Sequence, residues 1–584
     1  MDGSPSPIYE RRVPTRREAV MFRFKTLLLQ AKRVITDQTS GKTKRFTKKN
    51  SLQESSVLAR SVTPLWTETD SREKFLVAGK IQNLRIAVSR LNGVEIPANE
   101  TFSFWKHIGR ASRIRGYVAG RELREGCIIP NVGGGLCQLS NALFDAAIPA
   151  GFEIVERHAH TQIVAGSLAE SGRDATVFWN YVDLRFRSPT PFRIEARLDA
   201  NDLTVTFRGQ KAETRTLHQI NKRGSSAEPN SCATCETGDC HRVVKPSQEA
   251  GFGRSAFLVD EYSREFDVYL QRTRSNEDLL CVPLDGNRFK KANYAWNTAG
   301  FHQVRQSPIV AAIRSFRSRK LAAQGSARQL NLLKMYEELA ESYARKLSFD
   351  VLHVTVQQNL LPFLWKNGHL GGRTFDVLMT ALPMHELQRR LDHACSLHPE
   401  STTLGDFRAE DELVHAEKEA LENARRIITP HSEIASLFPE RTELLEWSMP
   451  SPTDRTAPKN EKPVIVFPSS TVGRKGCYEL REALIGLDIK LLALGPHIEG
   501  ADFWNGFDVE RGGEDWLQIV DIVVLPAFIE HKPRRLLLAA ASGIPVIASK
   551  ACGVNDTPGV RTVDAGDAVE LAAAIREMLC LTAK

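Results

Sequence analysis

No stretch of this 584-residue chain comes near the roughly 18 uninterrupted apolar residues that span a bilayer, so a transmembrane helix is not expected. A secretory leader is not expected either: the first apolar stretch begins near Met21 and is broken by Arg23 and Lys25. Ten cysteines without such a leader point to reduced thiols or metal ligands and not to a disulfide framework. Neither sign of charge dominates. The formal net charge of +8 is a small excess for this length, and nucleic acid is not an expected partner. Together these shortages describe a soluble globular protein whose expected location is the cytoplasm. The chain is too long for one core, and roughly two to four domains are expected.

Most of the excess positive charge lies at the N-terminus, where thirteen Lys and Arg residues in the first fifty positions face four acids. Such a segment is expected to be a solvated, partly disordered arm, with contact to an anionic membrane surface or to nucleic acid as the sharper alternative. Within it, Val20–Ile35 alternates apolar and basic residues at near-helical spacing, the pattern of an amphipathic membrane-surface helix. A peripheral position at the inner membrane is the alternative location.

Patterning divides the rest. Residues 1–75 form the basic arm, 76–210 a compact α+β domain, and 211–250 a Cys-rich linker or metal knob. Residues 251–460 and 461–584 form two further domains. In the α+β domain, Ile81, Leu84, Ala87, Val88 and Leu91 share one face of a predicted helix over Lys80–Leu91. Strand-like alternation follows at Asp183–Arg187, Phe192–Leu198 and Leu203–Arg208. A single long helix is predicted over Ile309–Leu347. From Pro463 onward short apolar runs alternate with helices: strands at Pro463–Phe467, Lys490–Leu494, Ile519–Leu525 and Pro545–Ser549, helices at Tyr478–Leu484 and Pro533–Ser542. That order implies a parallel sheet covered on both faces. The expected class is multidomain, α+β followed by α/β.

Three clusters carry candidate chemistry. In the first, Gly133, Gly134 and Gly135 precede Leu136 and Cys137, and the spacing from Leu136 to Ile148 is helical. Cys137 then sits in the first turn of a helix, where the dipole and free N–H groups favour a thiolate. His158 and His160 follow in ERHAHT, and Asp174 in GRDATV. A thiol, an imidazole and a carboxylate are the parts of a nucleophilic site, and Cys137, His160 and Asp174 are the candidates. Packing of a small buried thiol is the bland alternative for Cys137.

The second cluster is Cys232, Cys235, Cys240 and His241. The two-residue gap between Cys232 and Cys235 lets both sulfurs reach one ion. Zinc is favoured and an iron–sulfur cluster is the alternative, with Cys281 as a substitute fourth ligand. The third lies in the C-terminal region. Arg474 and Lys475 stand in a Gly-containing turn after a strand and suit an anionic diphosphate. Glu530 lies just past another strand end, where open α/β sheets bind ligands.

Two resemblances attach to these residues. NLRIAVSRLNGVEIPANETFSF, Gly116-Tyr117, the run from GGGLCQLSNALFDAAI to ERHAHT, GRDATVFWNYVDLRFRS and LTVTFRG together resemble a VanW domain over roughly residues 78–209. This resemblance implies a link to the cell envelope or to antibiotic resistance and supplies no established reaction. Residues 462–582, with PSSTVGRKGCYELREAL and DIVVLPAFIEHKPRRLLLAAASGIPVIAS, are similar to the nucleotide-binding half of a retaining GT-B glycosyltransferase. The resemblance implies Rossmann-type domains, a nucleotide-diphosphate sugar donor, diphosphate contacts from Arg474 and Lys475, and Glu530 as the first residue of a Glu-x7-Glu motif. Leu538 stands at the second position, which usually holds the donor ribose. Upstream, FDVLHVTVQQNLLPFLW and ARRIITPHSEIASLF resemble the acceptor-side domain, with His353 and His385 as candidates. The expected function is sugar transfer to an envelope or lipid-linked acceptor. The alternative, raised by Leu538, is a non-catalytic transferase scaffold carrying a VanW domain.

Overall fold

The computed structural model describes residues 15–40, 43–68, 70–124, 127–160, 167–211, 230–231, 252–319, 325–455, 460–513 and 515–582. The chain divides into two compact units. The first comprises residues up to 254 together with 348–352 and 367–373, and the second holds the remainder. Among the described residues, no helix is long and apolar enough to cross a membrane.

The first unit is built around the helix Ser71–Leu91, in which Ile81, Leu84, Ala87 and Leu91 are fully buried. It packs against a four-stranded antiparallel sheet in the order Val57–Pro64, Asp202–Gly209, Phe192–Leu198, Val94–Ile96. In Asp202–Gly209 burial alternates strictly, turning Leu203, Val205 and Phe207 inward. Phe152, Phe186, Phe192 and Phe207 meet in the core with ring centroids 4.4–5.9 Å apart. Two three-stranded sheets complete the unit. In one, Cys127–Val132 lies between Ala119–Arg124 and Asn230–Ser231, and in the other Arg185–Arg187 lies between Thr101–Ser103 and Glu153–Glu156.

The expected arm over residues 1–75 contains regular structure. Arg16–Ser40 is helical, and Val57–Pro64 pairs antiparallel with Asp202–Gly209. The inward residues of that strand are Ala59, Ser61 and Thr63, too small and polar to leave a period-two apolar signal. The single helix expected over Ile309–Leu347 is two, Pro308–Ser318 and Ser326–Ala344, with Gly325 at φ +111° ahead of the second.

The second unit holds two parallel sheets. In the first the order is Gln303–Gln306, Leu279–Val282, Ser255–Leu258, His353–Gln357, Thr374–Leu378, Arg426–Thr429, Thr442–Leu444. In the second it is Val509–Arg511, Lys490–Ala493, Val464–Phe467, Ile522–Leu525, Val546–Ser549, Val560–Val563. Every pairing in both is parallel. In the six-stranded sheet the central strands Val464–Phe467, Ile522–Leu525 and Val546–Ser549 are buried at every residue and apolar except for Ser549, as strands covered on both faces are. Each sheet runs outward from its first strand in one direction and then restarts on the other side. That reversal is the topological switch point of a doubly wound fold, beside which ligands bind at the carboxyl ends of the strands. Two such domains in series are the Rossmann-type arrangement expected from the sequence.

Candidate active site

The glycine run is required by close contact on both sides. Gly133 and Gly135 have φ of +84° and +96°. A Cβ on Gly134 would lie 2.4 Å from the Gly120 carbonyl oxygen, and one on Gly135 would lie 2.1 Å from Lys80 Cγ. Fully buried Asn83 clamps the turn: Nδ2 donates to the carbonyls of Val118 at 3.0 Å and Gly134 at 2.9 Å, and Oδ1 accepts from Val118 N at 2.9 Å. Gly135 caps the helix Leu136–Ala147, which puts Cys137 in its first turn, where N–H groups have no intrahelical acceptor.

The structure brings Cys137, His160 and Asp174 together. Asp174, 2% exposed, accepts His160 Nδ1 at 2.6 Å and the His160 main-chain N–H at 2.7 Å. Its other oxygen accepts Arg157 Nη2 at 2.8 Å. The His160 ring also hydrogen-bonds Cys137, and with Nδ1 engaged by Asp174 it is Nε2 that remains for the thiol. Burial opposes the thiolate, but the hydrogen bond and charge of His160 outweigh it and hold the Cys137 thiol below its ordinary value. Burial likewise opposes the imidazolium, yet Asp174 and Cys137 push the His160 pKa up to about 10. Asp174 is held below its ordinary value against its burial by His160 and Arg157. All three shifts favour the charged forms of the thiol, the imidazole and the carboxylate.

The helix that carries Cys137 also positions the carboxylate. Asn141 Oδ1 accepts from Ala175 N at 2.8 Å, and Ser140 Oγ donates to Ala175 O at 2.6 Å. Asn83, Ser140, Asn141 and Arg157 were not singled out as positioning residues from the sequence. Ser140 and Asn141 lie three and four positions after Cys137, so helical spacing alone puts them on its face. His158 is turned outward, with Nε2 3.5 Å from Glu156 Oε1.

Cys232, Cys235, Cys240 and His241 lie outside the described residues. Among the described residues no group of three or more His, Cys, Asp or Glu side chains could hold a metal ion. Cys281, the substitute ligand, is fully buried in a strand, and burial pushes its pKa up to about 12, which disfavours the thiolate that a metal needs.

In the second unit, Arg474, Lys475 and Glu530 meet at the switch point of the six-stranded sheet. Gly473–Lys475 is one tight turn ending at Gly476, where a Cβ would lie 2.1 Å from the Pro526 carbonyl oxygen. Lys475 Nζ is 2.8 Å from Glu530 Oε2 and donates to the Ile529 carbonyl at 2.8 Å. Glu530 also accepts the main-chain N–H groups of His531 and Lys532 at 2.9 Å each. Burial opposes its charge, but Lys475 and these donors bring its pKa down to about 2. The Arg474 guanidinium stacks over the Phe407 ring at 4.2 Å. Two further cations beside this switch point, missed in the sequence, also pair within the chain: Lys532 with Glu261 at 2.8 Å and Arg534 with Glu265 through two bonds of 2.7 Å. Leu538 packs against the apolar core of the sheet.

The two histidine candidates fare differently from the triad. His353 begins its strand, at the end away from the switch-point crevice. It accepts or donates there with Thr374 Oγ1 at 2.9 Å and lies 3.4 Å from Asp376. His385 is exposed in the first turn of Met384–Leu397. The switch point of the seven-stranded sheet is filled by fully buried Asp260, paired with Arg314 at 2.6 and 2.8 Å.

Residues 79–208 match the VanW like protein family, and residues 490–580 match the glycosyl transferases group 1 family. The uncharacterized protein YoaR of Bacillus subtilis is 33% identical over 145 residues, 24% of this chain and 47% of that protein. The vancomycin B-type resistance protein VanW of Enterococcus faecalis is 34% identical over 117 residues, 19% of this chain and 42% of that one. The chain thus spans under half the length of either curated relative. Among solved structures, sucrose-phosphate synthase from Thermosynechococcus elongatus aligns with 56% of this chain and 90% of its own, at 16% identity and a TM-score of 0.36. Anabaena HepE in complex with UDP aligns over 56% and 90%, at 14% identity and a TM-score of 0.32. The chain joins a VanW domain at residues 79–208 to a group 1 glycosyltransferase domain at residues 490–580.

Proposed function

We propose that the VanW domain is an acyl-transfer site acting on cell-envelope material, with Cys137 as the nucleophile. The observation that carries this reading is that one imidazole, His160, hydrogen-bonds both the Cys137 thiol and the Asp174 carboxylate. In this scheme the Cys137 thiolate attacks an acyl carbonyl, and His160 gives its proton to the departing amine or alcohol, leaving a thioester. An incoming nucleophile then loses its proton to His160, attacks the thioester and restores the thiolate. Asp174 holds the ring and its charge throughout. The test is alkylation by iodoacetamide. Cys137 in the full chain should react near neutral pH much faster than an ordinary thiol, and the rate should drop in the His160→Gln variant. Labelling no faster than that of an unperturbed thiol sinks the proposal.

A second reading concerns the C-terminal unit: transfer of a sugar from a nucleotide-diphosphate donor to an envelope or lipid-linked acceptor, at the cytoplasmic surface of the inner membrane. The placement of Arg474, Lys475 and Glu530 at the switch point supports it, as does the family match of residues 490–580. The donor diphosphate would have to draw Lys475 from Glu530. Melting curves with UDP-, GDP- and ADP-sugars decide between this reading and a non-catalytic scaffold. A donor that raises the melting temperature supports transfer, and the absence of any shift favours the scaffold that Leu538 suggests. The name of the Enterococcus faecalis relative supports a part in antibiotic resistance, which deletion of the gene and glycopeptide susceptibility would test.

A further inference from the structure

The helix Arg16–Ser40 is amphipathic in the sense opposite to that of a helix lying on a globular core. Among its described side chains, those turned toward the first unit are polar: Thr26 is buried, and Gln30 and Arg33 are partly buried. Their spacing of four and three residues makes one stripe. Gln30 Nε2 donates to the Trp179 carbonyl at 3.0 Å, and the Gln30 carbonyl accepts from Asn180 Nδ2 at 3.1 Å. Arg33 donates to both carboxylate oxygens of Glu156, at 2.5 and 3.1 Å. The other face is apolar and open. Val20, Met21, Phe24, Leu27 and Leu28 recur at helical spacing and are 54–64% exposed. Surface helices of globular proteins bury that face and expose the polar one.

A second feature meets this helix at Trp179. A cavity of about 470 Å³ is walled by Trp105 and Trp179, whose rings meet edge to face at 5.4 Å, and by Arg45, Arg90, Lys106 and Arg115. No carboxylate lines it, and among the described residues none of the four cations forms a salt bridge. Ile114 stands between Arg113 and Arg115 with its side chain entirely exposed.

We propose that this part of the first unit docks on an anionic membrane surface, with the apolar stripe of Arg16–Ser40 in the acyl boundary and the cavity holding the phosphate of a lipid headgroup. The charge pattern selects the occupant. A second copy of the chain would bring its own unpaired cations against these, whereas an anionic bilayer brings the missing negative charge. Tryptophans beside the cations suit the headgroup layer, where an amphipathic ring is half in water. The proposal rests on the membrane-surface location given above, but not on either reaction, since binding requires no turnover.

Co-sedimentation of the full chain with vesicles tests it. Binding is expected to phosphatidylglycerol-containing vesicles and not to pure phosphatidylcholine, and to weaken with salt. Lys106→Glu with Arg115→Glu should weaken it at least about tenfold, since each reversed charge acts near the surface. Phe24→Glu with Leu28→Glu should abolish it while leaving the melting temperature unchanged, because both side chains are exposed. Equal binding to both lipids, or wild-type binding by the Phe24/Leu28 variant, overturns the proposal. So does a dimer that the same variant converts to monomer without any vesicle binding. Glycerol 1-phosphate separates the sources of phosphate. If it saturates the cavity, and the Lys106/Arg115 variant loses that binding but keeps vesicle binding, the cavity serves a soluble ester and the headgroup assignment falls. Lack of any sugar-nucleotide effect would leave these readouts untouched.

Discussion

His160 Nδ1 lies 2.6 Å from Asp174 Oδ2, and the same carboxylate oxygen accepts the His160 main-chain N–H at 2.7 Å. One oxygen therefore fixes both the position of the residue and the tilt of its ring, leaving the opposite nitrogen for Cys137. The remaining carboxylate oxygen is taken by Arg157. No rotation of the ring is available without breaking a charge-assisted bond.

Replacing Asp174 with Asn removes that anchor. The iodoacetamide rate at Cys137 near pH 7 should fall about tenfold or more, because the imidazolium loses its counter-charge. The variant should also be less stable by roughly 1–3 kcal/mol in urea titration, since Arg157 is left facing a neutral amide in a mostly buried site.

The thiol shift sets a pH profile. An ordinary cysteine gains reactivity only as pH rises toward its usual pKa of 9.0. Cys137 is held below that value, so its alkylation profile should be displaced to lower pH than that of an ordinary cysteine. In His160→Gln the two lowering effects of the imidazole are gone while burial and the Glu122 charge still oppose the thiolate, and the profile should move back to higher pH.

Stability should follow His160 in the alkaline range. Its pKa is raised from 6.5 to about 10. The favourable contribution is complete below about pH 6.5 and is lost as pH climbs through 10. Asp174, whose pKa is lowered, works in the other direction. Its contribution is present above its ordinary 3.8 and is lost as pH falls below it. Melting temperatures of wild type and His160→Gln should therefore converge toward alkaline pH.

Gly135→Ala should be severe for a small change. The residue sits at φ +96°, and the added Cβ would meet Lys80 Cγ at 2.1 Å on a helix whose neighbours are buried. A loss of about 1–3 kcal/mol is expected from the backbone conformation alone. Alkylation of Cys137 should slow in the folded fraction, because the helix start shifts.

In the second unit, Lys475→Met leaves the Glu530 carboxylate in a largely buried site without its cation. The side chains are each 14% exposed, so a destabilisation of about 3 kcal/mol is expected by calorimetry. Any thermal shift produced by a sugar nucleotide should disappear as well. A shift that survives in this variant places the diphosphate elsewhere.

Local patterns determined much of this protein. Three glycines followed by helical spacing put Cys137 in the first turn of a helix, because φ preference and the i, i+4 rule act over a few residues. The alternation of short apolar runs with helices after Pro463 determined the parallel sheet, and a strand end determined where Glu530 would lie. Tertiary structure decided the rest. It brought the ring of His160 to a sulfur twenty-three residues earlier, through Ser140 and Asn141 gripping the main chain beside Asp174. It paired Lys475 with Glu530, a charge match invisible at fifty-five residues' separation. It recruited Val57–Pro64 into a sheet that small inward residues did not advertise. For Arg16–Ser40 the sequence contained both faces of the helix but not which one would touch the domain. That orientation was set by hydrogen bonds from Gln30 and Arg33 to Trp179 and Glu156, partners that only the folded chain brings within reach.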